Sequence, residues 1–261
     1  MSVTKPVMWI TGASSGIGRA VALLAPSFGY RVALTARRRD ELDSLREDLL
    51  RSGTEPGDVC IAAADVTNRD ELATAYSLLA RELGSVDVLL ANAGGHSPTS
   101  GSRFDTAEFR RLFELNVFGV TQCIELVLPV MQARRSGHIA GVSSIAGYRA
   151  LPTAAAYGAT KSALTYILES LRFDLERDGI VVSVISPGFV RTPLTDQNKF
   201  PMPCMIEADE AAQQIIRGIM ERRREIHFPR RFTYLLKLLR ILPQPLYHAI
   251  VRSVVYRGVA K

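Results

Sequence analysis

The stretch Val7-Met8-Trp9-Ile10-Thr11-Gly12-Ala13-Ser14-Ser15-Gly16-Ile17-Gly18 decides how the chain is read. A short apolar run passes directly into a turn with glycines at 12, 16 and 18. A strand that ends in such a turn and then enters a helix makes a cradle for phosphate. Glycine lets the backbone come close, and the helix N-terminus offers unpaired N–H groups and the positive end of its dipole. Gly12, Ser14, Ser15, Gly16, Ile17 and Gly18 are the candidate contacts. The spacing is not the G-x-G-x-x-G fingerprint, which matches nowhere in the chain. A plain tight turn uses the same residue types, so the rest of the chain must decide.

Working outward, short apolar runs alternate with longer amphipathic stretches, the pattern of βαβ units. Strands are expected at Val7–Thr11, Arg31–Thr35, Asp58–Ala63, Val86–Ala91, Gly137–Val142 and Ile180–Ile185. Helical patterns lie near 16–29, 38–52, 68–83, 105–135 and 154–178. The strands are continuous apolar runs rather than alternating ones, as expected when helices cover both faces of a parallel sheet. The fold class is therefore α/β, a Rossmann-like doubly wound parallel sheet. Ligands in such sheets bind at the carboxyl ends of the strands.

With 261 residues, 47% of them hydrophobic, the chain can bury one substantial core. No run of eighteen apolar residues occurs, and the N-terminus lacks a charged segment followed by an apolar one. A cytoplasmic protein is expected, with membrane contact only at the periphery. Cys60, Cys123 and Cys204 are widely spaced and read as reduced thiols. His96, His138, His227 and His248 show no ligand spacing and read as structural, so no metal site is expected. The net charge of +6 is unevenly placed: residues 226–261 hold seven Lys/Arg and no acid. Aromatic residues do not alternate with those charges as stacking on nucleic acid would require, so no nucleic-acid partner is expected.

The end of the second strand faces the adenosine ribose in dinucleotide folds, where an acid selects NAD and an arginine accommodates the 2′-phosphate of NADP. Here Ala36 stands where the acid would be, and Arg37, Arg38 and Arg39 follow. A guanidinium binds a phosphate through two parallel charge-assisted hydrogen bonds. NADP(H) is expected over NAD(H), with Arg37 as the selector and Arg38 as its support. Asp40 reads as a cap for the following helix.

Farther along, Tyr157 and Lys161 are one helical turn apart, so both project from one face. A phenol titrates near ~10 and needs help to act near neutrality. An ammonium at ~4 Å, at an effective dielectric of ~20, favours the phenolate by roughly 4 kcal/mol. That corresponds to nearly three pKa units, at about 1.4 kcal/mol each. Ser144, after the Gly137–Val142 strand, can polarise a carbonyl oxygen while Tyr157 delivers a proton; Ser143 is its neighbour and competitor.

The TGxxxGxG turn at Thr11–Gly18, Ser144, and Tyr157-x-x-x-Lys161 together resemble the short-chain dehydrogenase/reductase family, over residues 6 to about 192. The family interval selects Ser144 over Ser143. The resemblance implies strand order 3-2-1-4-5-6-7 and several further contacts. Asp65-Val66 would meet the adenine, and Asn92-Ala93-Gly94 its ribose, although Ala91 departs from an asparagine common in the family. Asn116 would hold a water linking Lys161 to solvent. Pro187-Gly188-Phe189-Val190-Arg191-Thr192 matches the family turn in which Val190 and Thr192 contact the nicotinamide carboxamide. It implies hydride transfer between NADP(H) and a carbonyl or secondary alcohol bound at Ser144 and Tyr157, in a homodimer or homotetramer. A 3-oxoacyl carrier-protein or lipid-type ketone reductase at a membrane surface is one alternative. A dinucleotide-binding sensor without catalysis is the other.

Residues 193–206 sit where the family carries its substrate loop, closing a single domain over 1–229. Residues 230–261 read as a basic amphipathic extension. Arg230, Lys237 and Arg240 fall on one helical face over 230–242, with Phe232, Leu235, Leu236, Leu239 and Leu242 largely opposite. A second helix is expected over Leu246–Arg257. The apolar face would pack on the body, roof the cleft or join a partner subunit, or the basic face would lie on anionic lipid.

Overall fold

The computed structural model describes residues 5–196 and 202–259. Seven parallel strands form one sheet in the order β3-β2-β1-β4-β5-β6-β7, a Rossmann-like doubly wound arrangement. They are β1 Val7–Thr11, β2 Arg31–Ala36, β3 Val59–Ala63, β4 Val88–Ala91, β5 Gly137–Val142, β6 Ile180–Pro187 and β7 Glu225–Phe228. β1 pairs with both β2 and β4, so the strand order reverses at β1, just where the glycine turn leaves the sheet.

The helices are α1 Gly16–Leu24, α2 Arg39–Arg51, α3 Arg69–Leu83, α4 Thr106–Phe113, α5 Gly119–Arg134, α6 Ala155–Leu175, α7 Ala208–Met220, α8 Arg230–Arg240 and α9 Gln244–Val259. One apolar layer joins α1, α2 and α7 to Met8, Ile10, Val32 and Leu34. The other joins α3, α5 and α6 to Val7, Trp9, Leu89 and Ile139. Alternate residues of β1 thus feed opposite layers, which is why its sequence is apolar throughout. The indole of Trp9 donates to Thr35 Oγ1 at 2.9 Å, which satisfies its polar atom inside the sheet.

Several elements differ from the sequence expectation. β4 starts at Val88 rather than Val86; Asp87 before it donates from N to Val7 O at 2.9 Å, and its carboxylate accepts from Val7 N at 2.7 Å. α2 starts at Arg39, so Asp40 lies in its first turn beside Glu41 and is not its cap. The helix expected over 105–135 is interrupted by a π-helical turn at Glu114–Phe118. By length and composition the run Thr106–Arg134 could cross a membrane. In this fold it lies on the sheet, with Val120, Ile124, Val127 and Met131 buried in the second layer.

α7 and β7 had no assignment from residue patterns. β7 is an edge strand and alternates in burial over four residues, too short a signal to read by periodicity. The expected substrate loop 193–206 leaves and returns beside Val190, which bridges Ile206. Its residues 197–201 lie outside the described residues.

Candidate active site

At the carboxyl ends of the strands lies a cleft of about 310 Å³. Its floor is the glycine turn. Gly12 and Gly16 have φ of +67° and +56°, which side chains rarely adopt. A Cβ on Gly12 would stand 2.8 Å from Ala93 Cα, and one on Gly16 would stand 3.1 Å from Thr192 Cγ2. The Ser15 side chain makes no capping hydrogen bond to α1, so the first N–H groups of that helix remain directed at the cleft. These features fit a pyrophosphate.

Gly12, Ser14, Ser15, Gly16, Ile17, Arg37, Arg38, Asp65, Val66, Asn92, Ala93, Gly94, Ser144, Tyr157, Lys161, Pro187, Gly188, Val190 and Thr192 all line this cleft. Gly18 does not. It lets α1 pack on the turn, where an added Cβ would meet Gly12 O at 2.4 Å. Asn116 also lies outside the lining and is fully buried. The cleft further includes Ala64, Gly95, Leu115, Val142, Ser143 and Thr195, which motif matching had left out. Most present apolar groups or backbone, so no residue type marks them in the sequence.

The turns are tied to one another. Thr11 Oγ1 accepts from Asn92 N and Ala93 N, both at 3.1 Å. Asn92 Nδ2 donates to Thr11 O at 3.0 Å, joining the β1 and β4 ends. Thr195 Oγ1 donates to Val190 O at 2.7 Å and holds the β6 turn over Gly16.

At the ribose end, Arg37 and Arg38 diverge. Arg37 is exposed and its guanidinium lies 3.7 Å from Asp65 Oδ2. Arg38 reaches back to donate to Ser14 Oγ at 3.1 Å, so it already stands over the glycine turn. Ala36 lines the cleft beside both arginines.

At the opposite end, Ser143 and Ser144 are separated by their partners. Ser143 Oγ donates to Lys161 O at 2.9 Å and pairs with Thr165 Oγ1, so it is used in anchoring α6. Ser144 Oγ accepts from Ala146 N at 3.1 Å and its hydroxyl faces Tyr157. On α6, Lys161 is buried and Tyr157 half-buried. Burial raises the Tyr157 phenol above its ordinary value, and the hydrogen bond from Ser144 opposes that rise. Burial also pushes the Lys161 ammonium down to about 8. The expected lowering of the phenol by the lysine is therefore not the net result. Lys161 Nζ donates to Val142 O at 2.8 Å and lies 5.8 Å from the Tyr157 ring centroid, while the apolar surroundings penalise both charged forms.

Asn116 sits in the π-helical turn, a distortion frequent at functional sites. Its Nδ2 donates to Gly95 O at 2.9 Å and to Thr160 Oγ1 at 3.0 Å. Its Oδ1 accepts from Gly95 N at 2.8 Å. Both amide protons are used, which leaves the role implied by resemblance to the remaining lone pair of Oδ1. A Cβ on Gly94 would be 3.1 Å from Asn116 Oδ1 and 3.4 Å from Lys161 Nζ, so Gly94 keeps these groups close.

His96 reads from its spacing as structural, but its loop 95–99 follows the fourth strand, where position alone places it at the border of the substrate pocket. Its imidazole meets the Tyr157 ring edge-on with centroids 4.8 Å apart, and burial holds its pKa below the usual value. The placement depends on Thr99, which is buried and accepts from Ala156 N at 2.9 Å. Thr99 thereby caps α6 and draws the 92–100 loop onto it. Nothing in the spacing of His96 signals this. Among the described residues, no cluster of His, Cys, Asp or Glu could hold a metal ion.

The chain matches the family model for short chain dehydrogenases over residues 6–202. An uncharacterized oxidoreductase of Myxococcus xanthus is 38% identical over 245 residues, covering 93% of this chain and 95% of that protein. A short-chain dehydrogenase/reductase from Burkholderia phymatum, solved with NAD, superimposes with a TM-score of 0.82 at 24% identity, covering 91% of this chain and 94% of that one. An alcohol dehydrogenase from Thermococcus sibiricus, solved with 5-hydroxy-NADP, gives a TM-score of 0.76 at 25% identity, covering 85% and 95%. With the glycine turn, the sheet order and the match over three quarters of its length, this chain belongs to the short-chain dehydrogenase/reductase family of oxidoreductases.

Proposed function

We propose that the protein is an NADP(H)-dependent oxidoreductase that interconverts a carbonyl compound and its secondary alcohol. The observation that carries this reading is the convergence of Ser144, Tyr157 and Lys161 at the end of the cleft opposite Arg37 and Arg38. A nicotinamide cofactor, when bound, supplies or accepts the hydride. The residues do the rest. The Ser144 hydroxyl holds the substrate oxygen by donating to it. Tyr157 gives that oxygen its phenolic proton in reduction and takes one back in oxidation. A raised pKa keeps the phenol protonated at neutral pH, which suits it as the acid of a reduction.

Lys161 places positive charge 5.8 Å from the phenol ring, with its ammonium anchored on the Val142 carbonyl. Asn116 acts as a positioning residue, holding the Gly94–Gly95 turn against Lys161. The glycine turn binds the pyrophosphate, Asp65 and Val66 the adenine, Asn92–Gly94 the ribose, and Pro187, Gly188, Val190 and Thr192 the nicotinamide. Arg37 and Arg38 bind the 2′-phosphate as a pair, because the acids beside them hold them weakly: the Arg37–Asp65 pair is 3.7 Å long, and the Arg38–Glu41 pair, at 3.4 Å, is exposed. Residues 1–229 form the catalytic domain, with 230–261 as its extension. Exposed Tyr166 and Phe173 on α6 support assembly as a homodimer or homotetramer.

A panel of ketones, aldehydes and alcohols with NADPH, NADH and their oxidised forms, followed at the nicotinamide absorbance, tests the reading. Turnover with at least one carbonyl and a preference for NADPH is expected. Tight NADPH binding with no turnover across the panel would favour the sensor alternative instead.

A further inference from the structure

α8 is turned differently from what its periodicity suggests. Lys237 is not part of a solvated basic face: its Nζ donates to Glu225 Oε2 at 2.6 Å and lies 5.8 Å from the Tyr148 ring centroid. Thr233 is fully buried and its hydroxyl pairs with His227 Nδ1 at 2.6 Å. Phe232 faces Phe189 with ring centroids 6.0 Å apart. The side left outside carries Tyr234, Leu238 and Ile241, spaced i, i+4, i+7, with Leu235 beside them. These side chains are 56%, 58%, 76% and 53% exposed. Arg231 precedes Leu235 by one turn on the same side and is also exposed.

We propose that this apolar stripe docks α8 on the surface of an anionic phospholipid membrane. Charge selects the occupant. Residues 226–261 contain no acid, and with Lys237 paired to Glu225 the exposed Arg231 on the stripe's side would meet its like in a second copy of the same face. Anionic headgroups offer the opposite sign, and the acyl boundary accepts the tyrosine, leucines and isoleucine. At about 1.5 Å per residue the eleven-residue helix is only ~17 Å long, which fits lying in the interface and not crossing it.

The extension is also joined to the cleft. A Cβ on Gly188, a cleft residue, would be 3.5 Å from Phe232 Cδ1. Arg149, from the loop between Ser144 and Tyr157, donates to the carbonyls of Leu239, Arg240 and Leu242 at 2.8–2.9 Å. Its guanidinium stacks 3.9 Å from the Tyr247 ring centroid, and Tyr247 Oη donates to Ala150 O at 2.7 Å. A docked α8 would therefore hold the substrate end of the cleft beside the lipid surface.

The test is sedimentation of the full chain with phosphatidylcholine vesicles, with and without phosphatidylglycerol, at low and high salt. Pelleting is expected on the anionic vesicles only, and salt should reduce it. Leu238→Glu with Ile241→Glu should abolish it while melting temperature and NADPH affinity stay unchanged. Should that pair fail to fold, Arg231→Glu, at an exposed position, is expected to lower the lipid partition coefficient roughly fivefold or more. No pelleting on anionic vesicles at low salt overturns the proposal, as does equal pelleting on neutral ones. It is also overturned if the wild type forms an oligomer that Leu238→Glu dissociates, which would place a second copy on the stripe. None of these readouts requires turnover, so they succeed or fail independently of the proposed reaction.

Discussion

Lys161 Nζ lies 5.8 Å from the centroid of the Tyr157 ring and spends one of its protons on the Val142 carbonyl at 2.8 Å. Both groups project from one face of α6, Lys161 buried and Tyr157 half-buried, and removal from water disfavours the ammonium and the phenolate alike. Desolvation thus keeps the phenol protonated beside the Ser144 hydroxyl, the state the proposed proton donor needs.

Tyr157→Phe removes that proton and little volume. Turnover should fall by roughly 10²–10⁴-fold, the usual contribution of a positioned acid, with NADPH affinity retained. Cofactor titration by fluorescence alongside steady-state rates checks both parts. A variant within about tenfold of wild type would remove Tyr157 from the role.

Cofactor choice should reside in the two arginines beside Ala36. Ala36→Asp combined with Arg37→Ala and Arg38→Ala is expected to shift the NADPH/NADH ratio of kcat/KM by roughly 10–100-fold towards NADH. The double variant that keeps Arg38 should shift it less, because Arg38 already reaches Ser14 Oγ. Ratios unchanged in both would show that the selector lies elsewhere.

Gly18→Ala would place a methyl group 2.4 Å from the Gly12 carbonyl and 2.5 Å from Asn92 Nδ2. The first is backbone and cannot swing aside, so α1 must move off the turn at a cost of about 1–3 kcal/mol. A lower melting temperature together with weaker NADPH binding is expected, measured by thermal denaturation and calorimetry.

His138 offers a pH test of the sheet core. It is buried in β5 with Nε2 2.7 Å from Ser183 Oγ, and burial pushes its pKa to about 4. A histidine depressed in the folded state contributes stability that is present above its unfolded pKa of about 6.5 and is lost as pH falls towards 4. The loss is on the order of 3 kcal/mol across that window. Denaturant midpoints of wild type and His138→Gln should therefore converge between about pH 7 and 4.5. Parallel pH curves would show that His138 does not titrate in this range.

Arg149→Ala should release α8 and α9 from the body, since it removes the donor to three carbonyls and the stacking on Tyr247. Faster tryptic cleavage near Arg240 with an intact core fragment is the expected pattern in limited proteolysis.

The strand order and the choice of Ser144 came with the family resemblance. The parallel sheet and the glycine turn were legible in the residues themselves, because buried strands read as apolar runs and a phosphate cradle needs glycines next to a helix start. Residues four apart on a helix must share a face. What the sequence left open depends on contacts between distant segments. Thr99 draws His96 onto Tyr157 across 57 positions, measured from Thr99 to Ala156, and Asn116 distorts its own helix to hold Gly95. Ser143 and Ser144 are chemically alike; the resemblance chose between them, and their partners on α6 and in the cleft give the physical difference. The extension shows the same limit. Periodicity says that α8 has two faces, but Glu225 and Tyr148 decide that Lys237 turns inward and leaves Leu238 and Ile241 outside. A one-dimensional pattern fixes which residues share a face; which face is buried is set by the surface that the rest of the fold presents to it.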